Sequence, residues 1–92
     1  MSVLRTVLVD DEPLALDLML SILEKIPEIE IVGRGLNGRE AVKLVQQHQP
    51  DLMFLDIQMP GMTGFDVVGE IQADIMPLII FATACRSNAL RA

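Results

Sequence analysis

Leu52-Met53-Phe54-Leu55-Asp56-Ile57-Gln58-Met59-Pro60-Gly61-Met62-Thr63-Gly64 is the stretch whose reading decides the fold. Four apolar residues run without a break and stop at a carboxylate. A short apolar run of this kind reads as a strand buried on both faces, which is the habit of parallel sheets. The run from Gln58 to Gly64 is rich in Pro and Gly and reads as a turn. A helix follows over about residues 63–73, weakened at Gly69 by about 1 kcal/mol relative to Ala.

The same alternation extends in both directions. Upstream, residues 3–9 are β-branched and apolar apart from Arg5, and they also stop at acids, Asp10 and Asp11. Pro13 suits the first turn of a helix, with Asp11 and Glu12 at its positive end. Helical spacing then holds over residues 14–26, with Ala15, Leu18, Met19, Ile22 and Ile26 expected to face the core. Asp17, Ser21 and Glu24 are expected opposite, and Pro27 to end the helix. On this phase Leu16, Leu20 and Leu23 widen the apolar arc, either as tighter packing or as a partner surface.

Residues 28–33 alternate as an edge strand, with Gly33 and Gly35 marking a loop. Asn37 followed by Glu40 resembles a capping box opening a helix that runs to about His48, with Ala41, Leu44 and Val45 facing inward. Pro50 stops that helix. Downstream of the central stretch, Pro77 precedes a fourth strand over residues 78–82 ending at Thr83, and residues 87–92 look like the first turn of another helix. His48 reads as a helix-end residue and Cys85 as a loop residue. The order β-α-β-α-β-α-β implies a doubly wound parallel α/β sheet.

Composition narrows the functional classes. The chain has 92 residues, 51% hydrophobic and 22% charged, which fits one small globular domain and excludes a disordered tail. With three Phe, no Trp and no Tyr, it lacks aromatic platforms for stacking nucleic-acid bases. A net charge of −6 repels phosphate backbones, so direct nucleic-acid binding is not expected. The single cysteine cannot form an intrachain disulfide, which suits a reducing cytoplasm. No signal peptide or membrane span is expected.

The chemistry collects at the strand ends. In an open parallel sheet, ligands bind beyond the carboxyl ends of the strands at a topological switch point. Those ends carry Asp10 and Asp11, Asp56 and Thr83. Each alone could be a solvated loop, cap or strand-end residue. Together, with the first and third strands adjacent, they converge on one edge. Carboxylates so close repel unless a cation neutralises them, and Mg²⁺ is the economical ion, because it takes a few carboxylates and otherwise keeps its waters.

Three segments then resemble the receiver domain of two-component response regulators. They are Val7-Leu8-Val9-Asp10-Asp11-Glu12-Pro13, the long stretch from Pro50 to Gly64, and Ile79-Ile80-Phe81-Ala82-Thr83-Ala84. The resemblance implies a flavodoxin-like three-layer fold with strand order 2-1-3-4. It implies that Asp56 accepts a phosphoryl group from a sensor histidine kinase. Asp10 and Asp11 would hold Mg²⁺ with Asp56 and the backbone carbonyl of Gln58. Thr83 would be the switch hydroxyl, and the backbone N–H of Ala84 would lie near the phosphate.

The family also has a fifth strand carrying a phosphate-pairing lysine and an aromatic switch residue. Neither can be assigned here; Lys25 and Lys43 lie on expected helices away from the site. The expectation is one receiver-type domain over residues 1–92, cut within its fourth helix and without an output domain. The tail from Asn88 resembles regulators with LytTR-type DNA-binding outputs. A mean hydropathy of +0.43 fits a core face awaiting cover. The expected function is thus a phosphorylatable cytoplasmic switch, not a metabolic enzyme. One alternative is a fragment that is poorly phosphorylated and only associates, as a homodimer or domain swap, through its uncovered fourth strand. An aspartate-nucleophile phosphatase fits less well, because such enzymes carry their two acids two residues apart after the first strand.

Overall fold

A computed structural model describes residues 3–71 and 76–82. Its elements are β1 (Leu4–Val9), α1 (Pro13–Leu23), β2 (Ile29–Gly35), α2 (Gly38–His48), β3 (Leu52–Leu55), α3 (Gly64–Glu70) and β4 (Leu78–Phe81). The strands form one parallel sheet in the order β2-β1-β3-β4. This is the doubly wound α/β arrangement read from the alternation, with the strand order implied by the resemblance.

Alternation along the central strands divides the core in two. Val7, Val9, Met53 and Leu55 pack with Ala41 and Val45 of α2 and Val67 of α3 on one face. Leu8 packs with Leu16 and Leu23 of α1 on the other, with Phe54 partly buried beside them. The layers are therefore α1, sheet, then α2 with α3. Among the described residues β4 pairs with β3 alone, and its Leu78 and Ile80 are exposed.

Local chemistry accounts for the helix starts. Asn37 caps α2 by accepting the Glu40 N–H at 2.9 Å, while the Glu40 carboxylate accepts the Leu36 N–H at 2.7 Å. The reciprocal bond thus reaches one residue further back than in the usual capping box. Thr63 and Asp66 complete such a box at α3. Gln49 closes α2 in the left-handed conformation, and the carbonyl of His48 accepts the Arg5 guanidinium at 2.7 Å.

Several sequence expectations are corrected. The core side of α1 is rotated by about one residue, ~100° around the helix. Leu16 and Leu23 are buried and Leu20 packs against them, so they are core and not a partner surface. Leu18, Ile22 and Ile26, expected inside, are exposed, as is Leu14. The reason is composition: within α1 only Asp17 and Ser21 are polar, so periodicity alone does not set the rotation. The helix also ends at Leu23, before Pro27.

Gly33 and Gly35 lie inside β2 rather than in a loop. The register of β1 against β2 slips between Thr6 and Val7, so the edge strand carries a bulge. A Cβ on Gly33 would stand 2.6 Å from Leu44 Cδ2, so glycine lets α2 lie close to that strand. The third helix ends at Glu70, not near residue 73: Ile71 is extended and buried in the core. Thr83, Ala84, Cys85 and the helix start expected at residues 87–92 lie outside the described residues.

Candidate functional site

The carboxylates stand where strands end. Asp10 follows β1, and its N–H donates to the Gly35 carbonyl at 3.2 Å. Asp56 follows β3, and its N–H donates to the Val9 carbonyl at 3.0 Å. These bonds continue the ladders one residue beyond the strands. Because β1 and β3 are direct neighbours in the sheet, both acids arrive at the same edge.

Asp10, Asp11 and Asp56 each present an oxygen, and the three atoms lie within 4.8 Å of one another. Asp10 and Asp56 are both only 2% exposed, so neither is a solvated loop residue. Both are oriented by local backbone: Asp10 Oδ1 accepts the Glu12 N–H at 2.9 Å, and Asp56 Oδ1 accepts the Gln58 N–H at 3.3 Å. Gln58 therefore sits against the site through its backbone, while the residue is exposed. The N-cap of α1 is Glu12, without a side-chain cap bond, so the acidic pair is not spent on capping the helix.

The donor set fits a hard divalent cation. It is made only of carboxylate oxygens, partly buried and close enough to repel one another. Asp11 Oδ1 is buried without a hydrogen-bond partner among the described residues. A buried carboxylate oxygen left unpaired is costly, and a cation removes that cost.

Gly64, expected to serve only the turn, belongs to the site's support. A Cβ on Gly64 would stand 2.7 Å from the Asp56 carbonyl oxygen, 3.0 Å from Ile57 Cα and 3.1 Å from the Phe81 ring. The start of α3 is thereby pressed directly against the backbone of Asp56 and Ile57, and the Gly64 N–H donates to the Ile57 carbonyl at 2.7 Å. The only sequence signal for this is a glycine opening a helix, where Cβ-bearing residues serve equally well. Met59 is buried in the core and Met62 packs against it.

A flavodoxin-like parallel sheet with an acid cluster at its carboxyl edge, where β1 meets β3, defines the class of an α/β switch domain. Residues 6–92 match the family model described as response regulator receiver domain, and the chain belongs to that family. It is 40% identical over 89 residues to the transcriptional regulatory protein BtsR of Salmonella typhi and 39% identical to BtsR of Escherichia coli K12. Those alignments cover 97% of this chain and 37% of each relative, so the chain spans well under half their length. Among solved structures it resembles the response regulator domain of Thermotoga maritima CheB. That match has a TM-score of 0.80 and 27% identity, and covers 97% of this chain and 72% of that one. It also resembles the response regulatory domain of mrkE from Klebsiella pneumoniae. Here the TM-score is 0.77 and the identity 31%, with 96% and 73% of the two chains covered. Receiver domains are signalling switches of two-component systems, and that is the class of this chain. No helix among the described residues is long and apolar enough to cross a membrane.

Proposed function

We propose that this chain is the phosphoacceptor of a two-component pathway, with Asp56 as the residue modified. The observation that carries this reading is the approach of the Asp10, Asp11 and Asp56 oxygens to within 4.8 Å at one strand edge. A carboxylate oxygen of Asp56 attacks the phosphorus of a phosphohistidine on a sensor kinase. The new O–P bond forms as the N–P bond breaks, and the bonding pair returns to the imidazole. Such transfer needs positioning and charge neutralisation more than covalent machinery.

Mg²⁺ held by Asp10, Asp11, Asp56 and the Gln58 carbonyl would supply the positive charge that lets an anionic phosphoryl group approach. The N–H of Gln58 orients the acceptor carboxylate, and burial excludes competing water. On the family resemblance Thr83 and Ala84, which lie outside the described residues, would supply a hydroxyl and a backbone N–H to the phosphoryl oxygens, and the response of Thr83 to the new charge would set the switch.

The test is incubation with Mg²⁺ and acetyl phosphate, followed by intact-mass measurement. We expect one phosphoryl adduct, lost on treatment with hydroxylamine and not formed in excess chelator. No adduct, under conditions that modify a complete receiver domain, overturns the reading.

The kinase docks, on this reading, over the outward face of α1. Its Leu14, Leu18 and Ile22 are 79%, 62% and 53% exposed, and the helix begins two residues after Asp11. An apolar stripe beside the acceptor pocket suits a helix of the donor. Leu18→Glu is expected to lower the rate of transfer from a cognate phosphorylated kinase roughly tenfold, the loss of about one buried side chain. The rate with acetyl phosphate should stay within about twofold, since position 18 lies outside the acceptor pocket. Equal loss with both donors would place the effect in the pocket and remove α1 as the docking face.

A further inference from the structure

Two of the chain's three aromatic residues meet each other beside the turn that follows Asp56. The ring centroids of Phe65 and Phe81 are 5.1 Å apart and the rings are tilted by 50°. At that separation aromatic pairs attract beyond the area they bury. Phe81, the last residue of β4, is half-buried against the core under α2 and α3. Phe65, the second residue of α3, is 61% exposed and so contributes little to that core. Gly64 links the ring pair to the acceptor. The place of its missing Cβ is 2.7 Å from the Asp56 carbonyl oxygen, 3.0 Å from Ile57 Cα and 3.1 Å from Phe81 Cε1. The Phe81 ring and the acceptor backbone therefore close on the same glycine. The bond from the Gln58 N–H to Asp56 Oδ1, at 3.3 Å, is already long, so a small shift of this backbone breaks it.

We propose that Phe65 and Phe81 are positioning residues for the acceptor. The Phe65 ring holds the Phe81 ring in place, the Phe81 ring backs Gly64, and Gly64 fixes the backbone that carries and orients the Asp56 carboxylate. This rests on the reading of Asp56 as the phosphoacceptor. Neither ring touches the phosphoryl group; both act through the turn. Displacement of a reacting group by a fraction of an ångström is enough to slow a transfer that depends on alignment. The pair also ties β4 to the start of α3, so a movement at either end of this contact reaches the acceptor turn.

Phe65→Ala tests this, with Phe65→Tyr as the conservative variant that keeps the ring. Two quantities are followed. One is amide hydrogen exchange by NMR on the ¹⁵N-labelled chain. The other is the rate of adduct formation with acetyl phosphate at saturating Mg²⁺. In Phe65→Ala the Gly64 amide, which donates to the Ile57 carbonyl, should exchange roughly fivefold faster, the worth of one aromatic pair. The Leu16 amide of α1, bonded to the Glu12 carbonyl on the other side of the sheet, should stay within about twofold. Adduct formation should slow by roughly the same factor as Gly64 exchange rises, and Phe65→Tyr should restore both. In a Phe81→Leu background, Phe65→Ala should add little, because the pair is already lost. Unchanged Gly64 exchange in Phe65→Ala overturns the proposal. So does an equal rise at Leu16, which would be general destabilisation, and so does faster Gly64 exchange with an unchanged rate of modification. Additive effects of the two substitutions would show that the rings act separately and would overturn it as well. A wild-type chain that forms no adduct would instead remove the acceptor reading, and the exchange rates would still decide whether the rings fix the turn.

Discussion

Asp56→Asn should abolish phosphoryl acceptance, leaving the unmodified mass after incubation with Mg²⁺ and acetyl phosphate. Asparagine matches aspartate in shape and keeps an oxygen to accept the Gln58 N–H that now reaches Asp56 Oδ1 at 3.3 Å. The backbone bond to the Val9 carbonyl is untouched. The fold should therefore survive, while the amide lacks the anionic oxygen that attacks phosphorus. The substitution also removes one of three clustered negative charges. Without Mg²⁺, the variant should melt no lower than the wild-type chain, since like-charge repulsion in the folded state falls. Melting curves with and without Mg²⁺ check this, and the stabilisation by Mg²⁺ should shrink in the variant. An adduct that persists in Asp56→Asn would move the acceptor to another carboxylate. Asp10 and Asp11 would be the first to examine.

Gly64→Ala should be the most damaging change of a single methyl group near the site. The added Cβ meets the Asp56 carbonyl oxygen at 2.7 Å and Ile57 Cα at 3.0 Å, both backbone atoms that cannot swing aside. The turn after β3 or the start of α3 must move. Overpacking of this kind costs about 1–3 kcal/mol, and sometimes more. Against a total stability of roughly 5–15 kcal/mol this is a large share, and each kcal/mol lowers the melting temperature of a domain this size by about 4–8 °C. The displaced backbone carries Asp56, so the rate of modification by acetyl phosphate should fall as well. Gly69→Ala makes the contrasting case. Its Cβ would meet nothing within 4 Å, and alanine is favoured over glycine in a helix by about 1 kcal/mol. Urea denaturation of the two variants should shift the midpoint in opposite directions. A neutral Gly64→Ala would show that the loop after Asp56 yields freely, and would end the argument that Gly64 supports the acceptor.

The parts of the molecule that were legible are those written in short-range pattern. β3 ends at Leu55 because the apolar run does, and the cap at Asn37 was readable from an asparagine placed three before a glutamate. The C-terminal limit of α3 was not readable. Ile71 leaves the helix to fill the core, and only the surrounding packing makes that burial available. Gly33 and Gly35 looked like punctuation because glycine more often breaks a strand than serves a close approach. The contact with Leu44 that explains Gly33 joins residues on two separate elements.

By itself the sequence determined the alternation of strands and helices, the parallel sense of the sheet and the placing of Asp10, Asp11 and Asp56 after strand ends. Those features follow from local periodicity and from the handed connections that periodicity implies. The tertiary structure alone decided which side of α1 meets the core, because a helix apolar on nearly every side does not encode its own rotation. It also decided that the three carboxylate oxygens come within 4.8 Å of one another. That distance exists because β1 and β3, far apart along the chain, are hydrogen-bonded neighbours, with helices packed on both faces of the sheet they share.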